Sequence, residues 1–415
     1  MRGRCVCSIG ALYLVWACAA LHAQELAFGG IELASSSVKG LTFVFQPGAD
    51  AALSAGGGPG RPERMKRLQY AERNAAFISM RDGCKLSDKG VDLLLTDVKE
   101  VISELREGAK TKSLGDLQLY AVGSSGLGAV CNRDEIMQRV QAETGMCMEF
   151  ITAADESRYS LGFVLPRDRY RSMVLDIGGG NTKAGYYVTT KGAAWPPREW
   201  HGLELGYGSR TLRDEALALT KVARTDADGK ALPALDFYQA VDEVLRTRVA
   251  PRLEEWKLSN SALDNFKQVY LVGGAVWATS TREKPVQQQE WAISSLNNGD
   301  FDALLQTVRK GTLGQFDDGQ LSDRVSRKTR DDANAELQQV LQRFDPQSLY
   351  AGVRLTQFVV TQTTPAARLY FPTTAAWISG YAREKFRETG YSVRTCRAPS
   401  ESTSRARNVV PGETH

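Results

Sequence analysis

Asp176-Ile177-Gly178-Gly179-Gly180-Asn181-Thr182 follows an apolar, β-branched run that begins at Met173. Three glycines after a strand let successive backbone N–H groups face an anion with no Cβ in the way. Phosphate is the guest that such a turn suits. A simple hairpin needs only two turn residues, so Asp followed by three glycines exceeds what chain reversal requires. A carboxylate at 176 is repelled by phosphate unless a cation lies between them, which makes Asp176 a candidate ligand for Mg2+, directly or through water. Other chemistries are excluded by composition. The chain has three histidines, His22, His201 and His415; the first falls in a leader-like segment and the last is the terminal residue. One remaining histidine leaves no Ser-His-Asp triad and no HExxH zinc site.

The elements around this turn read as two similar halves. Ile31 to Phe45 is a pair of apolar strands joined by Ser35-Ser36-Ser37. Gln46 to Pro62 is rich in Gly, Pro and Ala and reads as a loop, after which Arg67 to Ile78 resumes as strand. Ser87 caps a predicted helix running to about Glu107, with Val91, Leu94, Leu95, Val98, Val101, Ile102 and Leu105 on one face and Gly108 at its end. Leu117 to Val122 is a buried strand, Asn132 to Thr144 a helix closed by Gly145, and Met148 to Thr152 a further strand, an order that implies a right-handed parallel crossover. The second half repeats the theme with strands at 173–177 and 184–189, helices at about 209–222 and 236–256, and a strand from Gln268 to Val272 ending in Gly273-Gly274. Two halves that each open on a hairpin around small residues predict duplicated α/β domains facing a cleft. Their expected extents are 24–158 and 159–397, with a polar insertion or lid at about 281–330 and a disordered tail at 398–415.

The composition agrees with two domains: 415 residues, 42% apolar and 24% charged, exceed the usual single-domain size at ordinary globular balance. Arg2 and Arg4 precede an apolar run from Cys5 to Ala20, followed by Leu21-His22-Ala23, the pattern of a secretory signal over residues 1–23. The run is shorter than the roughly 20 residues needed to span a bilayer, so the expectation is an exported protein, periplasmic or secreted. Lipid anchoring through Cys18 is the weaker alternative, because Trp16 stands where a small residue is preferred. Loss of the leader removes two arginines and no acidic residue, lowering the charge from +4 to +2, which gives no reason to expect a nucleic-acid duplex as partner. Four cysteines then remain, Cys84, Cys131, Cys147 and Cys396, without CxxC spacing. Cys131 and Cys147 sit at opposite ends of a predicted helix, too far apart to join, which leaves Cys84 with Cys396 as the expected pair.

LDIGGGNTK resembles the second phosphate loop of the actin-like ATPase superfamily, and with its neighbours it is most similar to the exopolyphosphatase/guanosine pentaphosphatase (Ppx/GppA) family. The neighbours come in matching order. Ser35-Ser36-Ser37 falls at the first phosphate loop, and VGSSGLGAVCNRDEIMQRV (122–140), which contains Ser124, resembles the strand-to-helix segment. TGMCMEFITAADESRYSLG (144–162) resembles the stretch with the family's catalytic glutamate, while Leu205-Gly206-Tyr207-Gly208-Ser209-Arg210 and Leu271-Val272-Gly273-Gly274 resemble two segments that line the cleft. The resemblance covers roughly 28–280 and weakens from 335 to 382. It implies two ribonuclease-H-like α/β domains around a central cleft, with Glu156 as the general base that draws a proton from water attacking a terminal phosphate. It also implies Ser35, Ser36, Ser37, Ser124, Gly178, Gly179, Gly180, Asn181, Thr182 and Lys183 around phosphate, Gly206, Gly208, Gly273 and Gly274 along the cleft, and Asp176 with Glu32 near Mg2+. From local sequence alone Glu156 better suits a solvated loop residue paired with Arg158, and only the five segments in matching order reverse that preference.

Departures from the family pattern bear on activity. Glu32 and Ser36 replace the usual Asp and Asn of the first loop, Gly128 falls where an arginine is usual, and Lys183 occupies the place of a carboxylate. An ammonium at 183 can contact phosphate as a point charge and take over part of a metal ion's neutralising role, or it can point to solvent from the second strand of the hairpin. Loss of a carboxylate that holds metal or water would lower turnover while leaving affinity for polyanions. Trp195-Pro196-Pro197 reads as a rigid surface turn, and Arg64, Lys66 and Arg67 as a solvated basic cluster able to extend a polyanion track. Three functions compete: a hydrolase that removes terminal phosphate from polyphosphate or a nucleotide, a binder that holds the same ligand without cutting it, and an actin-like or sugar-kinase-like ATP-binding protein, which export beyond an ATP supply disfavours. Whether two copies pair as a homodimer is left open.

Overall fold

The computed structural model describes residues 26–389 apart from 46–64, 165–171, 190–197, 261–265, 286–292, 317–320, 322–325, 373–376 and a few isolated positions. The leader-like segment 1–23, the loop 46–62, Arg64, the Trp195-Pro196-Pro197 turn, Cys396 and the tail from 398 lie outside the described residues.

Two sheets repeat one topology. In the first, β1 (Leu26–Leu33) and β2 (Ser37–Phe45) form an antiparallel hairpin closed at Leu33↔Val38, and β3 (Met65–Asn74) adds antiparallel to β2. β4 (Gln118–Gly123) runs parallel to β1 and β5 (Met148–Phe150) parallel to β4, giving the order β3-β2-β1-β4-β5. In the second, β6 (Ser172–Ile177), β7 (Thr182–Thr189) and β8 (Arg198–Leu205) make the antiparallel meander, and β9 (Gln268–Gly273) pairs parallel to β6. β10 (Ile293–Leu296) and β11 (Arg368–Pro372) complete the order β8-β7-β6-β9-β11-β10.

Strand alternation sorts each sheet's residues onto a core face and a face that meets the other half. Ile31 and Leu33 of β1 pack beneath α1 (Asp88–Thr111) against Val91, Leu94, Val98, Val101 and Leu105, all fully buried. Burying each such side chain stabilises by roughly 1.5–3 kcal/mol. Met173, Leu175 and Ile177 of β6 likewise enter the larger core of the second half. The alternate residues, Phe28 and Glu32 on β1 and Val174 and Asp176 on β6, face the other way. Between the two sheets lies the helix Ala153–Val164, which follows α2 (Arg133–Thr144) and is called α3. Its Tyr159 packs with Phe28, Trp377, Ile378 and Tyr381, and its Leu161 with Val174, Tyr270 and Val272. The Trp377–Thr389 helix, last of the described elements, thus returns to cover β1.

Several expectations from the sequence are met and several corrected. Ser87 caps α1 by accepting from Gly90 N, and Gly145 closes α2 at φ 73°. α1 does not stop at Gly108 but runs to Thr111, and Gly108 inside it leaves room for the Gln69 side chain; a Cβ there would meet Gln69 Oε1 at 1.3 Å. Asn132 does not cap α2; its side chain bridges Leu86 N and O at 2.9 and 3.0 Å. That bridge lays the 82–86 hairpin on the turn before α2 and corrects the cysteine pairing: Cys84 is bonded to Cys131, Cα–Cα 5.5 Å, and not to Cys396, while Cys147 is also disulfide-bonded. The polar stretch 281–330 is not an appended lid throughout. It supplies the edge strand β10 and the helix Asn298–Lys310, whose Phe301, Leu304, Leu305 and Val308 are buried in the core. Among the described residues no helix is long and apolar enough to cross a membrane.

Candidate active site

Four charged side chains converge where the inner faces of both sheets meet the start of α3. Hairpin register places Lys183 of β7 directly opposite Asp176 of β6 and Glu204 of β8, so the three share one face of the sheet. Thr182, one residue earlier, pairs with Ile177 and turns to the opposite face, where its buried hydroxyl donates to Tyr207 O at 2.7 Å. On the other sheet Glu32 lies opposite Lys39, and its carboxylate sits 3.7 Å from Lys39 Nζ. Thr152 and Asp155 cap the start of α3: Asp155 N donates to Thr152 Oγ1 at 3.1 Å and Thr152 Oγ1 to Asp155 Oδ2 at 2.7 Å. The next residue is Glu156, fully buried in the first turn.

Glu156 has both carboxylate oxygens engaged. Oε1 accepts from Ser125 N, and Oε2 is hydrogen-bonded and ion-paired to Lys183 Nζ. Asp176 Oδ2 lies 3.7 Å from the same ammonium. Arg158 does not pair with Glu156; it reaches Asp155 at 3.3 Å and Glu384 at 3.7 Å. Lys183 therefore does not point to solvent, being only 7% exposed. Burial alone would push its ammonium down, but Asp176 and Glu156 outweigh that and hold it above the usual lysine range. Glu32 behaves oppositely. Burial raises its carboxyl above 4.5 despite Lys39 and Lys183, and the like charges of Glu156 and Asp176 add to the rise.

The two predicted phosphate turns flank this cluster. Ala34 N donates to Ser37 O at 2.9 Å, and Ser35 Oγ lies beside Gly126, where a Cβ would stand 3.4 Å from it. Ser36 O accepts from Ala75 N, Ser37 is buried at the head of β2, and the Ser124 hydroxyl accepts from Leu127 N at 3.4 Å. In the glycine loop Gly178 N donates to Asn181 O, whereas the Gly179 and Gly180 amides donate to no acceptor among the described residues. Asn181 is held by Glu204, Nδ2 to Oε1 at 2.8 Å. Gly208 packs on the backbone of 178–181, and Ser209 N and Arg210 N donate to Gly178 O and Gly179 O. Gly206 stands open, while Gly273, φ 106°, and Gly274 pack on Ile177 and Phe344. The structure thus brings together Glu156, Asp176, Lys183, Glu32, Ser35 and the glycine loop. It assigns Ser37, Ser124, Thr182, Asn181, Gly273 and Gly274 to internal contacts.

Three residues to which the sequence reading gave no role of their own belong to the site. Lys39 was reachable from hairpin register, since a turn at 34–36 puts it opposite Glu32. Ser125 acts through its amide, which no side-chain pattern reveals. Arg210 begins α4 (Ser209–Leu219), and its guanidinium lies so close to the loop that a Cβ at Gly179 would come within 2.9 Å of Nε and Nη2. It has no carboxylate partner among the described residues.

The carboxylates do not fit a divalent cation as they stand. The Lys183 ammonium is in contact with Glu156 and 3.7 Å from Asp176, so an Mg2+ ligated there would stand beside a fixed positive charge. Among the described residues no three His, Cys, Asp or Glu side chains are grouped to hold a metal ion. The expected ligand pair Asp176 and Glu32 is therefore two arms of an ion-paired cluster.

Residues 78–192 match the Ppx/GppA phosphatase family. No protein of curated function matches the chain. Among solved structures, a Ppx/GppA family member from Aquifex aeolicus is similar over 89% of this chain and 100% of its own, with TM-score 0.56 and 14% identity. An exopolyphosphatase from Cytophaga hutchinsonii is similar over 87% and 98%, with TM-score 0.53 and 13% identity. At such identity these likenesses show the fold alone: a mixed α/β chain with the arrangement of sheets and helices found in those Ppx/GppA structures.

Proposed function

We propose that this protein is an exported phosphoanhydride hydrolase of the Ppx/GppA kind, which releases the terminal phosphate of polyphosphate or of a polyphosphorylated nucleotide. The observation that carries the reading is the placement of a fully buried Glu156 between two phosphate-type turns, beside a glycine loop whose Gly179 and Gly180 amides are free to bind an anion. The match over 78–192 spans Glu156 and the glycine loop together. Three disulfide-bonded cysteines, Cys84 with Cys131 and also Cys147, suit an oxidising compartment and support export.

In the mechanism that this chain's residues support, the Gly179 and Gly180 amides and Arg210 hold the terminal phosphate. Its negative charge competes with Glu156 for Lys183. A swing of the ammonium from Glu156 Oε2 to a phosphate oxygen offsets part of the ligand's charge and leaves Oε2 to orient water and accept its proton. As it does so, the water oxygen bonds to phosphorus, the bridging P–O bond breaks and the shortened phosphate chain leaves with that electron pair. Ser125 N keeps Oε1 fixed meanwhile. Phosphoryl transfer asks mainly for such positioning and charge neutralisation.

A second reading has its own observation. With Lys183 bonded to Glu156 in the resting state, a ligand that fails to draw the ammonium away leaves the base blocked, and the cleft binds without cutting. Phosphate release measured beside equilibrium binding separates the two. Hydrolysis predicts release from tripolyphosphate that Glu156→Gln abolishes. Binding alone predicts retention of the ligand with no release by either protein. Absence of both binding and release would sink the proposal.

A further inference from the structure

The ion-paired centre of the cleft carries a consequence for metal dependence, and it rests on the reading of that cleft as a phosphoanhydride site. Asp176, Glu156 and Glu32 reach the same region from β6, α3 and β1, all three buried. Three buried carboxylates of one sign demand a cation, because uncompensated charge inside a protein is costly. The chain meets that demand covalently. Lys183 Nζ bonds Glu156, lies 3.7 Å from Asp176 and acts electrostatically on Glu32, while Lys39 approaches Glu32 from the first sheet. Strand pairing locks the arrangement, since position 183 is directly across from 176 and cannot turn to the other face without a register slip.

We infer that the Lys183 ammonium fills the divalent-cation position of this cleft, so that the protein binds phosphoanhydrides without a metal ion and excludes Mg2+ and Mn2+ from its carboxylates. The same placement makes residue 183 the determinant of metal use. With the ammonium gone, Glu156 and Asp176, the two carboxylates it contacts, are left as unpaired oxygen donors with the buried Glu32 carboxylate acting on them, a chemistry that favours a hard divalent cation. A glutamate at 183 would add a fourth carboxylate.

The test uses the metal alone and then the ligand. Mn2+ binding to the native protein, followed by electron paramagnetic resonance of free Mn2+ and by calorimetry, is expected to show no saturable site that depends on Glu156. Lys183→Gln and Lys183→Glu should each gain one site, lost again when Glu156→Gln is added. Circular dichroism identifies which variants fold, and the native arm decides even if neither does. In EDTA the native protein should bind tripolyphosphate, with Lys183→Gln weaker by about ten- to a hundredfold, the worth of one charge-assisted contact. Stoichiometric Mn2+ binding by the native protein that Glu156→Gln abolishes would overturn the inference, as would tripolyphosphate binding that EDTA eliminates. Failure to bind tripolyphosphate under any condition, with the Mn2+ results as expected, would refute the functional reading and leave the cation assignment standing.

Discussion

Lys183→Met offers the sharpest probe of the buried cluster. The substitution keeps an unbranched side chain one atom shorter and removes its charge, leaving Glu156 fully buried and Asp176 and Glu32 nearly so, without their shared cation. Removing one partner of a buried pair costs about 3–5 kcal/mol. For a domain of this size, that is a fall in Tm of roughly 10 °C. The loss should depend on pH in a defined direction. The native lysine is held above 10.5, so its contribution is present in full below that value and disappears only as pH rises through the higher folded-state value. In the variant the stranded carboxylates can take up protons, so the deficit is greatest near neutrality and shrinks in acid. Adding Glu156→Gln should recover much of the stability, because two neutral side chains of similar volume replace an ion pair at little cost. The assay is denaturant unfolding of the native, both single variants and the double, by circular dichroism and tryptophan fluorescence. A coupling of about 2 kcal/mol or more is expected; additivity within about 0.5 kcal/mol would refute a direct Lys183–Glu156 pair.

Other consequences are open to simpler measurements. Glu32 holds its proton to a higher pH folded than unfolded, so its charge opposes folding near neutrality. Glu32→Gln should therefore raise Tm at pH 7, with the gain vanishing below about pH 4.5 as the carboxyl protonates in both states; an equal effect at both pH values would contradict this. The Cys84–Cys131 bond closes a loop spanning 47 residues, and replacing both cysteines by alanine should cost about 4 kcal/mol in denaturant unfolding. Arg210→Ala should weaken tripolyphosphate binding about tenfold or more while leaving Tm nearly unchanged, because its guanidinium faces the glycine loop with no carboxylate partner among the described residues.

Much of this architecture was legible because it is local. Hairpin periodicity, the cap at Ser87 and the left-handed Gly145 follow from adjacent residues, and the repeated meander-then-parallel order emerges from them. The face of Lys183 was implicit too, since a hairpin that pairs Ile177 with Thr182 puts 183 opposite Asp176, yet the sequence left both phosphate and solvent open to its ammonium. What escaped was tertiary. Cys84 and Cys131 meet only because the 82–86 hairpin folds onto the turn held by Asn132. The Asn298–Lys310 helix was read as part of a polar insertion or lid because only four buried apolar residues, Phe301, Leu304, Leu305 and Val308, dock it. Glu156 and Lys183 are 27 residues apart, and only the packing of α3 between the two sheets joins them.

The central claim is that Glu156 works on a phosphoanhydride held by the glycine loop. Orthophosphate release from tripolyphosphate, measured for the native protein and Glu156→Gln at equal ligand occupancy, tests it most directly. Release by the native protein is expected, with a fall of about 10²–10⁴-fold in the variant, the usual worth of a general base, and binding retained. Release that continues at the native rate in Glu156→Gln would contradict it.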